Sequence, residues 1–235
     1  MVYHGIERVE IAIRAAICNT LGARGSLSYK LSTNFRPNFG HKEWLDTSLI
    51  RTARARRNSE MVRHHQAEYR GELPIWALVE VLDFADVSKL YSGLLAHDQR
   101  EIAENLGITI DDSELNHNQR TKARKHHPLV SWMEQLTVVR NTAAHHSRLW
   151  NRTFIPVPTA AMRTVLGLEN LPEQQSERLY GALLVMAKII HNAYPGYDWP
   201  VKIAALINNQ FTEISHRSIA EMGFPNNWEQ LSPWK

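Results

Sequence analysis

Apolar side chains return every three or four positions through most of this chain. Over residues 6–21, Ile6, Val9, Ile13, Ala16 and Ile17 share one face while Glu7, Glu10 and Arg14 occupy the other, which predicts an amphipathic helix with its charges in water. Residues 22–46 break the rhythm with Gly22, Gly25, Pro37 and Gly40, so a long irregular connection is expected there, a candidate substrate-side flap. The helical pattern resumes from Ser48 to Tyr69. Pro74 suits the first turn of a helix through Trp76, Leu78, Val79, Val81 and Leu82, and Asp86 is placed to cap the next, Val87 to Leu95. A short amphipathic stretch, Gln99 to Leu106, is closed by Gly107.

Residues 109–127 are polar and predict a loop or fragmentary helix ending in the basic run Lys122, Arg124, Lys125, His126 and His127. Pro128 opens an apolar run, Leu129 to Val139, that leads directly into a polar segment, Arg140 to Arg152. Pro156 and Pro158 then predict an extended link before a long apolar helix around Leu179, Leu183, Leu184, Met186, Ala187 and Ile190, followed by a helix pair near 199–210 and 215–222. Strand-like alternation bounded by hairpin turns is missing, so the expected class is all-α, a helical bundle with additional helices. The whole chain, 1–235, reads as one domain or two tightly packed lobes. Its first helix starts almost at Met1, which raises the expectation of a short version of something longer.

Composition adds a compartment and a charge asymmetry. The sole cysteine, Cys18, excludes an intrachain disulfide, and with no leader and no run of apolar residues long enough for a bilayer the expected setting is the cytoplasm, without a membrane partner. The net charge of +3 conceals a basic excess in the first 70 residues. That excess peaks at Arg51, Arg54 and Arg57, whose spacing of three puts them on one face of a helix. Such a stripe can track an RNA backbone, or it can be a solvated face with carboxylate partners elsewhere in the fold.

Candidate chemistry concentrates in Arg140-Asn141-Thr142-Ala143-Ala144-His145-His146-Ser147-Arg148-Leu149-Trp150-Asn151-Arg152. On an ideal helix Asn141, His145 and Arg148 line one face, while Arg140 and His145 stand about 140° apart. One copy therefore builds a complete site only awkwardly, and two copies across a twofold axis would supply paired residues. The small residues Thr142, Ala143 and Ala144 would permit close approach. An imidazole titrating near neutrality can take the proton of a ribose 2′-OH, and an arginine can stabilise charge on the phosphorane as that oxygen attacks. DNA lacks that nucleophile.

A metal is not needed by such a scheme. The adjacent pairs His145-His146, His64-His65 and His126-His127 lack cysteines or carboxylates at ligand spacing, so no metal and no cofactor is expected. An arginine followed at similar distance by histidine also occurs at Arg36, Arg57 and Arg120, as often as composition alone predicts. Requiring asparagine directly after the arginine and histidine after three further residues leaves Arg140-Asn141 with His145. The bland alternative has Arg148 and Arg152 pairing with acids and His145 meeting helix-terminal carbonyls.

The motif does not stand alone. Ile6-Glu7-Arg8-Val9-Glu10-Ile11-Ala12-Ile13-Arg14, Leu73-Pro74-Ile75-Trp76-Ala77-Leu78-Val79-Glu80, Asp83-Phe84-Ala85-Asp86-Val87-Ser88-Lys89-Leu90-Tyr91, Val139 to Arg152, and Met222-Gly223-Phe224-Pro225 with Trp228 follow in order. Together they resemble the blocks of the Abi-like abortive-infection proteins of the AbiD/AbiF type, within the HEPN superfamily of helical nucleases. Longer members carry a segment before the first block, and the family block has cysteine where Ala143 stands.

The resemblance implies a HEPN-like fold, a homodimer with facing motif helices, and metal-independent RNA endonuclease activity in phage defence or a toxin-like setting. It makes Arg140 and His145 the catalytic pair, with Asn141 contacting or orienting the phosphate. His146 is the alternative histidine, and Arg148 a further substrate-binding candidate. Type VI CRISPR effectors share the arginine, asparagine and histidine arrangement. A structured noncoding RNA is an implied partner, since some Abi-like proteins associate with one. Two other readings stay open: a noncatalytic RNA-binding module, and a structural component in which the polar stripe organises a dimer.

Overall fold

The computed structural model describes all 235 residues and is all-helical, with ten α-helices and a single isolated β-bridge, Phe35 to Leu94. The chain forms two compact units. One comprises Met1–Ala12 and Ala103–Lys235, the other Ile13–Ile102. Helix α1, Val2–Gly22, supplies residues to both. No helix is long and apolar enough to cross a membrane.

In the unit formed by residues 13–102, the irregular stretch expected before residue 46 holds two short 3-10 turns, Ser28–Lys30 and Ser32–Asn34, and ends at α2, His41–Ala55. The pattern from Ser48 to Tyr69 proves to be two helices. Arg56, Arg57 and Asn58 form a turn, and Ser59 then caps α3, Glu60–Glu68, by accepting the Val62 N–H at 3.3 Å. Helix α4 runs Ile75–Val81, and α5 runs Phe84–Gly93. Helix α2 packs on both. Asp86 lies inside the first turn of α5 rather than before it, where its carboxylate accepts the Asp83 N–H at 3.2 Å. Gly93 has no alternative: a Cβ there would sit 2.6 Å from the Phe39 ring. Helix α6, Ala96–Asn105, ends at Gly107, whose φ of +78° is the left-handed conformation that stops the helix.

Arg14 is not on a solvent face as its position on the helical wheel suggested. Its guanidinium donates to the carbonyls of Val79 and, at 3.2 Å, Leu82, satisfying groups at the C-terminal end of α4.

The unit formed by residues 1–12 and 103–235 contains α7, His117–Lys125, in the polar stretch where only a fragment was expected. It also holds α8, Leu129–Ala144, α9, Leu179–Ala193, and α10, Trp199–Leu206. Asn116 caps α7 by accepting the Gln119 N–H at 2.9 Å. Helix α8 packs on α9, and α9 on α10. The approach of α8 to α9 is close at Gly181, where a Cβ would lie 2.9 Å from the Trp132 ring. Trp199 fills the corresponding space beside α1: a Cβ on Gly5 would fall within 2.5 Å of its indole, whose N–H donates to Met1 O at 3.1 Å.

Gln135, fully buried in the apolar run of α8, ties down the chain that returns after the motif. Its amide donates to Ile155 O at 2.6 Å and Ser176 O at 2.7 Å. Phe154 N–H donates to Glu177 O at 2.8 Å, completing the clamp on this extended pair of segments. The C-terminal block docks through an aromatic cluster of Tyr180, Phe224, Trp228 and Trp234, with centroids 4.6 to 6.3 Å apart.

Candidate active site

The end of α8 decides what the motif can do. The helix stops at Ala144 with His145 as its cap residue, so the face shared by residues 141, 145 and 148 is not continuous. His146 adopts φ +52°, its N–H bonds Ala143 O at 3.1 Å, and the Ser147 N–H bonds Thr142 O at 3.0 Å. These two reverse-turn bonds satisfy the last carbonyls of the helix in the manner usually built on glycine. Arg148 thereby leaves the helix axis.

Arg140 sits on the last turn of α8 and is half-buried. Its Nε donates to Glu10 Oε1 at 2.9 Å, and its Nη1 reaches Asn141 Oδ1 at 3.4 Å. Glu10, placed by periodicity on the solvent side of α1, is only 12% exposed in its side chain, against 34% for Arg140. The carboxylate fixes one edge of the guanidinium, and the N–H groups engaged by neither Glu10 nor Asn141 can meet a ligand. Asn141, His145 and His146 are exposed, and the two imidazoles carry no side-chain hydrogen bond or ion pair. No hydrogen bond joins Arg140 to His145 within the chain. Thr142 points inward, its hydroxyl bonded to Val138 O at 2.7 Å, while Ala143 and Ala144 are half-exposed.

The arginine stripe divides. Arg51 pairs with Asp83 at 2.9 Å and Asp86 at 2.8 Å, and Arg54 pairs with Asp83 at 3.0 Å. The hydrogen bond to Asp86 holds the Arg51 guanidinium above its ordinary pKa. Arg57 is exposed in the turn after α2, off the helical face that spacing assigned to it. Carboxylate partners, one of the two readings of this stripe, thus account for two of its three members.

Two features near the motif had no assigned role in the linear reading. Glu10 lies 130 residues before its partner. Trp150 was part of the motif segment but had no assigned role; its indole N–H donates to Ser218 O at 3.3 Å, and the guanidiniums of Arg148 and Arg217 lie 5.8 and 4.9 Å from its ring. A tryptophan two residues beyond an arginine was the available hint.

A family profile described as Abi-like protein matches residues 1–151, which takes in α1 through the motif and stops before the block at Met222 to Trp228. No curated protein and no solved structure matches the chain.

Proposed function

The chain belongs to the Abi-like protein family, and from that premise we propose that it is a metal-independent RNA endonuclease of a phage-defence or toxin-like system, of the AbiD/AbiF type within the HEPN superfamily. Family membership points to abortive infection. The chemistry rests on one observation: the last turn of α8 presents an arginine braced by a mostly buried carboxylate and, directly at the helix end, an imidazole open to solvent.

In this reading His145 takes the proton of a ribose 2′-OH. The 2′-oxygen bonds to phosphorus, the bond to the 5′-oxygen breaks, and the departing oxygen is protonated by the imidazolium, leaving a 2′,3′-cyclic phosphate and a 5′-hydroxyl. Arg140 stabilises the charge on the phosphorane and Asn141 positions the phosphate. Because Arg140 and His145 do not meet within one chain, a homodimer that faces two motif helices completes the site. His145 is preferred over His146, whose left-handed backbone closes the helix end.

The test is cleavage of single-stranded RNA in the presence of a chelator, abolished by His145→Ala and by Arg140→Ala. Unchanged cleavage in both variants sinks the assignment, and activity in a demonstrated monomer removes the composite site. Salt-sensitive RNA binding with no product under activating conditions selects a noncatalytic RNA-binding role instead.

A further inference from the structure

Three of the five non-glycine residues with positive φ flank one side chain. His146 at +52° and Asn151 at +51° bracket the segment that carries Trp150, and His216 at +67° precedes Arg217, whose guanidinium lies over the Trp150 ring. Such backbone is uncommon for residues with a Cβ and persists where the surrounding structure holds it. Its concentration here marks a tightly held backbone around Trp150 and the two arginines beside it.

Beneath this indole opens a cleft of about 290 Å³, close to the lower size of small-molecule sites. Its walls are apolar, among them Leu149, Leu179, Leu183, Ile203 and Phe211. The indole N–H is already given to Ser218 O, so the polar group left in the lining is the exposed amide of Gln210. Gln210 and Phe211 belong to a single π-helical turn, Ile207–Phe211, closed by the Thr212 N–H on Ile207 O at 3.1 Å. Widened turns of this kind recur at functional sites.

The rim selects the ligand. Arg148 and Arg217, both exposed, lie 5.8 and 4.9 Å from the Trp150 ring that lines the cleft, and Glu221 nearby in sequence accepts the Ser218 N–H at 3.2 Å. A guanidinium stacked on an aromatic ring keeps its N–H groups in its own plane, free to meet phosphate. An apolar cleft with aromatic walls, one amide able to donate and accept, and two cations beside it match an unpaired nucleobase with its attached phosphates.

We propose that the Trp150 cleft is a nucleobase subsite: it takes one unpaired RNA base against its apolar lining, which includes Trp150 and Phe211, with Gln210 on the base edge and the neighbouring phosphates on Arg148 and Arg217. The inference rests on the nuclease reading for its substrate class, and it adds where the strand is gripped. Placed five residues beyond His145, the subsite would anchor the strand beside the scissile phosphate.

The experiment separates grip from cleavage by using a fluorescein-labelled, single-stranded 2′-O-methyl RNA octamer of mixed sequence, which lacks the attacking hydroxyl. Anisotropy titrations of the full chain are expected to show Trp150→Ala weakening binding about 5- to 150-fold, with Trp150→Phe retaining most of the affinity. Arg217→Ala, a change at an exposed side chain, is expected to weaken binding and reduce the log–log salt slope by about 1. If wild type binds and cleaves RNA while both Trp150→Ala and Arg217→Ala bind the octamer like wild type, the subsite is overturned and the nuclease reading stands. If the variants lose binding but wild type cleaves nothing, the subsite stands and the nuclease reading falls. A wild-type protein that does not bind the octamer overturns the subsite outright.

Discussion

Replacing Gln135 by leucine tests whether the clamp behind the motif holds this unit together. The substitution keeps the approximate volume but strands two carbonyls, Ile155 O and Ser176 O, that now receive hydrogen bonds at 2.6 and 2.7 Å. Each stranded carbonyl costs about 1–3 kcal/mol. Against this, the Gln135 Oε1 is itself buried without a partner, and its removal restores about 1 kcal/mol. The net loss is therefore about 1–5 kcal/mol, to be read from urea unfolding followed by far-UV circular dichroism, with a shifted midpoint and an unchanged m-value. Glutamate sharpens the test. An ionised carboxylate offers only acceptors to two carbonyls, so Gln135→Glu should be less stable than the leucine variant near neutrality. Burial raises the folded-state pKa of that carboxyl above its unfolded value, so the penalty is present above the folded pKa and fades as pH falls below it. A leucine variant within about 0.5 kcal/mol of wild type would refute the reasoning, because changes of that size are typical of sites without a specific role.

Glu10→Gln removes the charge that braces Arg140; since the pair is partly exposed, stability should change by less than about 1 kcal/mol, while kcat for RNA cleavage should fall about tenfold or more with little change in KM, and equal kcat would dismiss Glu10 as a positioning residue. His146→Gly should keep RNA cleavage and raise stability by up to about 1 kcal/mol through relief of the left-handed backbone, less the flexibility glycine adds to the unfolded chain; lost cleavage with intact folding would transfer the catalytic role to His146. Gly5→Ala drives a methyl into the Trp199 ring and should lower stability by about 1–3 kcal/mol or more in the same urea assay, a neutral outcome meaning that the helix start can move aside. Burial pushes the Cys18 thiol up to about 11 from 9.0, so native protein at pH 8 should react with iodoacetamide far more slowly than urea-unfolded protein. Between those two values the unfolded state has fewer protons, so this thiol's contribution to stability is lost as pH rises; equal native and unfolded alkylation rates would contradict the burial.

The helices were legible where apolar spacing was strong, as in α1, α8 and α9, and where a punctuating residue stood in plain view, as with Pro74, Gly107 and Pro128. What periodicity missed were decisions made by partners distant in sequence. Glu10 and Arg14 sit on the polar side of α1 in projection, yet each meets a group that the fold brings to it, so both are drawn out of solvent. Arg57 and Arg148 were assigned to helical faces that end before reaching them, because Ser59 starts a new helix and His146 accepts a conformation that sequence rules reserve mainly for glycine. The basic motif was visible as residues, and the brace behind it was not. A carboxylate and an arginine so far apart leave no pattern in one sequence.

That separation also has a meaning in time. A ribosome that has placed Glu10 must add 130 more residues before Arg140 exists, about 7–26 s at ordinary elongation rates. Throughout that interval the acid has no arginine from α8 to hold. The brace forms only after α8 has been made, so a nascent chain that ends before residue 140 carries one half of it.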